Sequence, residues 1–241
     1  MSAPLVSKAG PECQEAVEWA ATDPHIVTRV RRRLLRWGRA NFKHYPWRTE
    51  TSPWLTLVAE MMLQRTRASQ VQSVFRDFQA MYPTAESFVR AGENAAREVT
   101  RRLGIHRRGP LLYRLACDVY RRGGIPPQKI EELRRVTGIG PYTAAAWISL
   151  HGRKRAVIAD SNVARLLSRL TGCPYPRDPR HVHWLLRLAD QLTPRRVYQA
   201  YNYAILDFTM GICTPRSPRH SECPLLSDCT YGQGKSRRNP S

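Results

Sequence analysis

The stretch Leu133 to Leu150, LRRVTGIGPYTAAAWISL, decides the fold. A short helix running to Val136 is followed by Gly138-Ile139-Gly140, which predicts a tight turn, and Pro141 suits the first turn of a second helix. Two glycines let backbone N–H groups approach a phosphate closely, and the positive end of the second helix adds to that attraction. The pattern is that of a helix-hairpin-helix, a grip on a nucleic-acid backbone that positions without reading sequence. An ordinary corner between two helices is the plainer alternative. On the first reading, Gly138, Ile139, Gly140 and Thr143 belong to the phosphate-facing surface.

Outward from this hairpin the chain reads as helix after helix. Val71, Val74, Phe75, Phe78 and Met81 share one helical face, and a further helix over 110–122 stops at Gly123-Gly124. Others are expected near 26–42, 54–66, 84–91, 128–136, 141–151, 161–171, 180–192 and 195–210. Only Ala156-Val157-Ile158 looks extended, too brief to found a sheet, so the fold class is all-α. Residues 1–22 lack periodicity and predict disorder, and 231–241 predict a loose basic tail.

Lys and Arg number 39 against 19 Asp and Glu, a net charge of +20 spread along the chain. That is the footprint of a polyanionic partner; nucleic acid is the usual one, here expected to be double-stranded DNA, and an anionic membrane is the competitor. No apolar run approaches a bilayer span, which argues against a membrane, and the N-terminus has no signal-like apolar segment, which predicts a cytoplasmic, nucleoid-associated protein; a monomer is expected. Of six cysteines, Cys13, Cys117 and Cys173 are scattered, whereas Cys213, Cys223 and Cys229 crowd together. In a reducing compartment such a cluster reads as metal ligation rather than cross-linking.

Two carboxylates draw attention. Asp160, in VIADSNVARLLSRL, stands at a helix entrance, where it can be a plain N-cap or can face a cleft and stabilise a cationic sugar. Glu60 sits in WLTLVAEMMLQRT, a helix apolar nearly all round. A carboxylate there is costly unless paired or lining a cavity, and partial burial would raise its pKa toward that of a general acid. An ion pair with an arginine is the structural alternative. Gln64 and Arg65, at the end of that helix, have the length to fill the gap left by a flipped base.

YPWR (Tyr45 to Arg48), AEMMLQRT, TGIGPYTAAA, IADSNVARL and LDFTMGIC, in this order, resemble the helix-hairpin-helix glycosylase superfamily that includes endonuclease III. The branch most similar is that of MutY-type adenine glycosylases and the mismatch thymine glycosylase Mig. The resemblance spans roughly residues 30 to 230 and implies two helical domains flanking a DNA-binding cleft. A six-helix barrel with the hairpin would occupy 50–158, and a discontinuous iron–sulfur domain 23–49 with 159–230. It implies that Asp160 is the catalytic aspartate and Glu60 the acid that acts on the base. Tyr142 stands where endonuclease III carries its Schiff-base lysine, which implies hydrolysis with weak or no lyase activity. The 8-oxoguanine-recognising domain of MutY-type enzymes has no counterpart after the cysteine cluster. With Tyr142, Arg65 and LDF, this points to thymine or uracil opposite guanine. Gln64 is MutY-like, which keeps adenine excision as the alternative.

The family's four cysteines hold a 4Fe–4S cluster, and here CTPRSPRHSECPLLSDC places Cys213, His220, Cys223 and Cys229 at that spacing, with histidine second. Imidazole can ligate iron, so Cys3His ligation of the cluster is expected; zinc, or an empty loop, are the alternatives. A reading of another class is an iron–sulfur redox sensor that binds DNA without catalysis. Glu60, Tyr142 and Asp160 together favour the enzyme.

Overall fold

The computed structural model describes residues 13–234, and among them every regular element is helical. In chain order the helices are α1 (Gln14–Ala21), α2 (Ile26–Ala40), α3 (Pro46–Thr49), α4 (Pro53–Met62), α5 (Ala68–Met81) and α6 (Ala85–Arg102). There follow α7 (Gly109–Tyr120), α8 (Ile130–Leu133), α9 (Pro141–Leu150), α10 (Ser161–Thr171), α11 (His183–Leu192) and α12 (Tyr198–Gly211). Among the described residues no helix is long and apolar enough to cross a membrane. The described residues divide into two compact units, residues 44–156 and residues 13–43 with 157–234.

The unit of residues 44–156 is built around α4, in which every residue from Trp54 to Met62 is buried. Ser52 caps it through Leu55 N, and Pro53 fills its first turn. Trp54, Phe78 and Phe88 meet with ring centroids 4.9–6.0 Å apart, and Trp47 of α3 packs edge-on against Phe75 at 5.8 Å. Residues 44–49, expected with the N-terminal helix, therefore fold in this unit, because the Trp47 side chain finds its apolar partners here. The helix expected over 84–91 runs on to Arg102, past a break at Gly92, whose φ of 80° no ordinary residue adopts readily. Beyond the break, Glu93–Arg97 and Glu98–Arg101 pairs line an exposed face and Ala96 and Val99 a buried one.

In the other unit α2 lies along α12, with Trp37 edge-on to Phe208 at 5.3 Å. Val30 and Leu34 of α2, Leu167 of α10 and Leu185 of α11 join Phe208 in one core. Asp228 is nearly buried and takes Arg29 and Arg33 of α2 at 2.8 Å each, which fastens the segment after α12 to this helix. Two expectations fail here. Residues 14–21 form a helix rather than a disordered lead, because Trp19 buries its ring and donates Nε1–H to the Asp228 carbonyl at 2.8 Å. Cys13 and Cys173 form a disulfide, which the scattered spacing did not suggest; their Cα atoms are 6.2 Å apart. The expected disorder over residues 1–12 and most of the basic tail lie outside the described residues.

Candidate active site

The hairpin is α8, the turn and α9. Gly138 has φ +83°, and a Cβ built on it would lie 2.9 Å from Met61 Cε and 3.1 Å from Leu111 Cγ, so the turn needs glycine twice over. Gly140, the extended N-cap of α9, has open space on its Cβ side, which leaves room for a ligand's close approach to the helix N-terminus. Ile139, expected to present its backbone to phosphate, turns its side chain into the core and gives its N–H to Val136 O at 3.1 Å. It anchors the turn instead. Thr143, expected on the DNA surface, is buried and its hydroxyl accepts from Gln64 Nε2 at 3.0 Å. Tyr142 is half-buried at the second position of α9.

Gln64 and Arg65 differ sharply. The Gln64 amide is held from both ends, by Thr143 and by Arg108 NH1, which donates to Oε1 at 2.5 Å. Arg65 is exposed, and its φ of 66° places a non-glycine residue in the left-handed region. Such strain recurs where a side chain must be held out toward a partner. Burial, then the nearby charge of Arg65, lowers the Arg108 pKa from its usual value. Nothing in LGIHRRGP reveals by spacing that Arg108 would brace Gln64.

Glu60 is 8% exposed, and its partner is not an arginine. Its Oε1 lies 3.2 Å from Nε2 of His151, the residue that follows α9. His151 was not singled out from sequence; the available signal is its position, four residues after the buried Trp147.

Asp160 is half-buried and caps α10. Its Oδ1 accepts from the backbone N–H of Asn162 at 2.9 Å and of Val163 at 2.8 Å, and its Oδ2 from Asn162 Nδ2 at 2.9 Å. The cap and the fixed carboxylate are one arrangement. Arg165 holds Asn162 Oδ1 at 3.0 Å and reaches the Cys213 carbonyl at 3.1 Å, so the α10 entrance is tied to the cysteine segment.

Cys213, His220, Cys223 and Cys229 all line one small cavity. Burial pushes the Cys229 thiol up to about 11 and raises Cys223. Thiols so placed are poor free nucleophiles, and a metal that took them as thiolates would have to displace their protons. No three of these four ligand atoms lie within 4.8 Å of one another. A single tetrahedral zinc with Zn–S bonds of about 2.3 Å would draw them closer than that, so the set fits a multi-iron cluster better. The trio that does meet this distance among the described residues is Cys13, Glu15 and Cys173, whose two sulfurs are joined to each other. Around the cavity Arg169 donates to the Thr214 and Pro215 carbonyls at 2.7 and 2.8 Å and lies over the Tyr231 ring.

Residues 58–189 match the model of the HhH-GPD superfamily base excision DNA repair proteins, and residues 213–229 that of the iron-sulfur binding domain of endonuclease III. The chain is 34% identical over 215 residues to the thymine-DNA glycosylase of Aeropyrum pernix, covering 87% of this chain and 96% of that protein. It is 32% identical over 201 residues to the adenine DNA glycosylase of Mycobacterium tuberculosis, covering 80% of this chain and 64% of that one. The solved structure of a thermostable thymine-DNA glycosylase matches with a TM-score of 0.81 at 26% identity, over 89% of this chain and 99% of that one.

Proposed function

Since the chain belongs to the HhH-GPD superfamily of base excision DNA repair proteins, we propose that it is a DNA glycosylase that excises thymine or uracil opposite guanine. The likeness to a thymine-DNA glycosylase along 96% of that protein carries the choice of base. Tyr142 in place of a lysine supports hydrolysis without an efficient lyase step, since a phenol forms no Schiff base.

The hairpin turn at Gly138 and Gly140, with the excess of arginines, binds phosphates, so affinity falls steeply with salt. Arg65, exposed on its left-handed backbone, fills the space of the extruded nucleotide, and a mismatch lowers the cost of extrusion. Glu60 protonates or hydrogen-bonds the departing base. Asp160, fixed by Asn162 and the first turn of α10, stabilises the oxocarbenium-like sugar and directs water to it. Cys213, His220, Cys223 and Cys229 would hold a 4Fe–4S cluster, whose contribution is to fix the loop. Arg216 and Arg219, both exposed in that loop, then face phosphate. The protein works as a monomer on double-stranded DNA in the cytoplasmic nucleoid.

The test is an excision assay on duplexes pairing G with T, U and A, and 8-oxoguanine with A, with alkali to reveal abasic sites. Cleavage of the G·T and G·U duplexes is expected. Asp160→Asn keeps an oxygen for the α10 cap and is expected to abolish excision while binding persists. Cleavage confined to adenine mismatches would transfer the assignment to the adenine glycosylases.

A further inference from the structure

Helices α4 and α9 meet along two polar rows inside an otherwise apolar core. Thr56, Glu60 and Gln64 recur every four residues on one, and Thr143, Trp147 and His151 every four on the other. Three side-chain contacts join the rows: Trp147 Nε1–H to Thr56 Oγ1 at 3.0 Å, Gln64 to Thr143 at 3.0 Å, and Glu60 to His151 at 3.2 Å. The first two join neutral groups and account for alignment. The third joins two titratable groups, 8% and 5% exposed, and among the described residues His151 is the side chain that pairs with Glu60.

Burial selects the proton count of such a pair. A carboxylate beside a neutral imidazole leaves an unpaired buried charge, and a carboxylic acid beside an imidazolium leaves another. With one proton shared, the pair is neutral overall whichever atom carries it. An amide would align the helices equally well, as Gln64 does with Thr143, but could not carry that proton.

We propose that His151 is a positioning residue for excision, keeping within its pair with Glu60 the one proton that the departing base takes up. The inference rests on the glycosylase reading and on Glu60 as its acid. In the step, the glycosidic bond breaks with its electron pair on the base, and the one proton of the Glu60–His151 pair passes through the Glu60 carboxyl to a heteroatom of that base. Water adds hydroxide to the sugar carbon and its remaining proton goes to solvent. His151 Nε2, facing Oε1, then takes a proton from solvent and restores the pair.

The test compares wild type with His151→Gln, Glu60→Gln and the double variant in single-turnover excision of G·T duplex. His151→Gln is expected to slow excision about ten- to a hundredfold, within the range of general acid catalysis, while its DNA Kd changes less than about threefold. The double variant is expected to be no slower than Glu60→Gln alone. Multiplying losses, or wild-type rates in His151→Gln, would overturn the proposal and leave the glycosylase reading standing. A second measurement is independent of turnover: ring nitrogen chemical shifts of His151 in the DNA-free protein. They are expected to move on Glu60→Gln, and unchanged shifts would overturn the pair. Wild type that excises nothing while these shifts do move would refute the glycosylase reading and, with it, a role for the pair in excision.

Discussion

Asp118 of α7 holds the hairpin turn, accepting at Oδ2 from the Thr137 amide at 3.0 Å and the Thr137 hydroxyl at 2.5 Å. The glycine turn is thus fixed by a side chain that contacts no expected ligand. Burial alone would raise this carboxyl, but the Thr137 donors, with Arg121 and Arg122, hold it below its ordinary value of 3.8. A depressed folded pKa means a stabilising contribution present in full above the ordinary value and lost as pH falls through the lowered one. Asp118→Ala is expected to cost about 1–3 kcal/mol at neutral pH and weaken DNA binding. Urea titrations at a series of pH values should show the difference from wild type shrinking below about pH 4. A difference that grows in acid would contradict this.

Gly138→Ala should weaken the same turn from within. The new methyl meets Met61 and Leu111 while the backbone stays at φ +83°. Together these are expected to cost about 1–3 kcal/mol and a clear loss of DNA affinity. Gly140→Ala, with open space around it, is expected to leave stability nearly unchanged and reduce only binding. Thermal melts and binding titrations on both variants separate the two, and equal destabilisation would contradict the distinction.

The cavity lined by Cys213, His220, Cys223 and Cys229 should yield about four irons per chain on metal analysis of anaerobically prepared protein. His220→Cys is expected to retain iron and lower the reduction potential, because a thiolate replaces a neutral ligand. One zinc per chain would refute the cluster.

The disulfide between Cys13 and Cys173 closes a span of 160 residues and fastens α1. Its removal in Cys13→Ser is expected to cost about 2–4 kcal/mol. A reducing agent should lower the melting temperature of wild type and leave the variant where it is. Equal response of the two proteins would show the bond to be absent in solution.

The sequence by itself determined the local pieces. Gly138, Gly140 and Pro141 admit one kind of turn, the α10 entrance carries its cap at Asp160, and the apolar run around Glu60 marks a helix that must be buried. Each of these is settled by backbone sterics or by hydrophobic spacing within a few residues. The spacing of Cys213, His220, Cys223 and Cys229 is likewise read directly from the chain. Pairings across long separations were not legible, because many side chains offer the same chemistry and only packing selects among them. An arginine is the structural alternative the sequence offers beside Glu60, yet the α4–α9 contact brings His151, 91 residues away. Trp19 found Asp228, Thr137 found Asp118 and Cys13 found Cys173 in the same manner. Gln64 looked like a group for DNA, but the core supplied Thr143 and Arg108 first, leaving Arg65 as the exposed one. A buried polar atom must be satisfied by whatever the tertiary fold sets beside it, and that neighbour is a property of the packed chain, not of any segment.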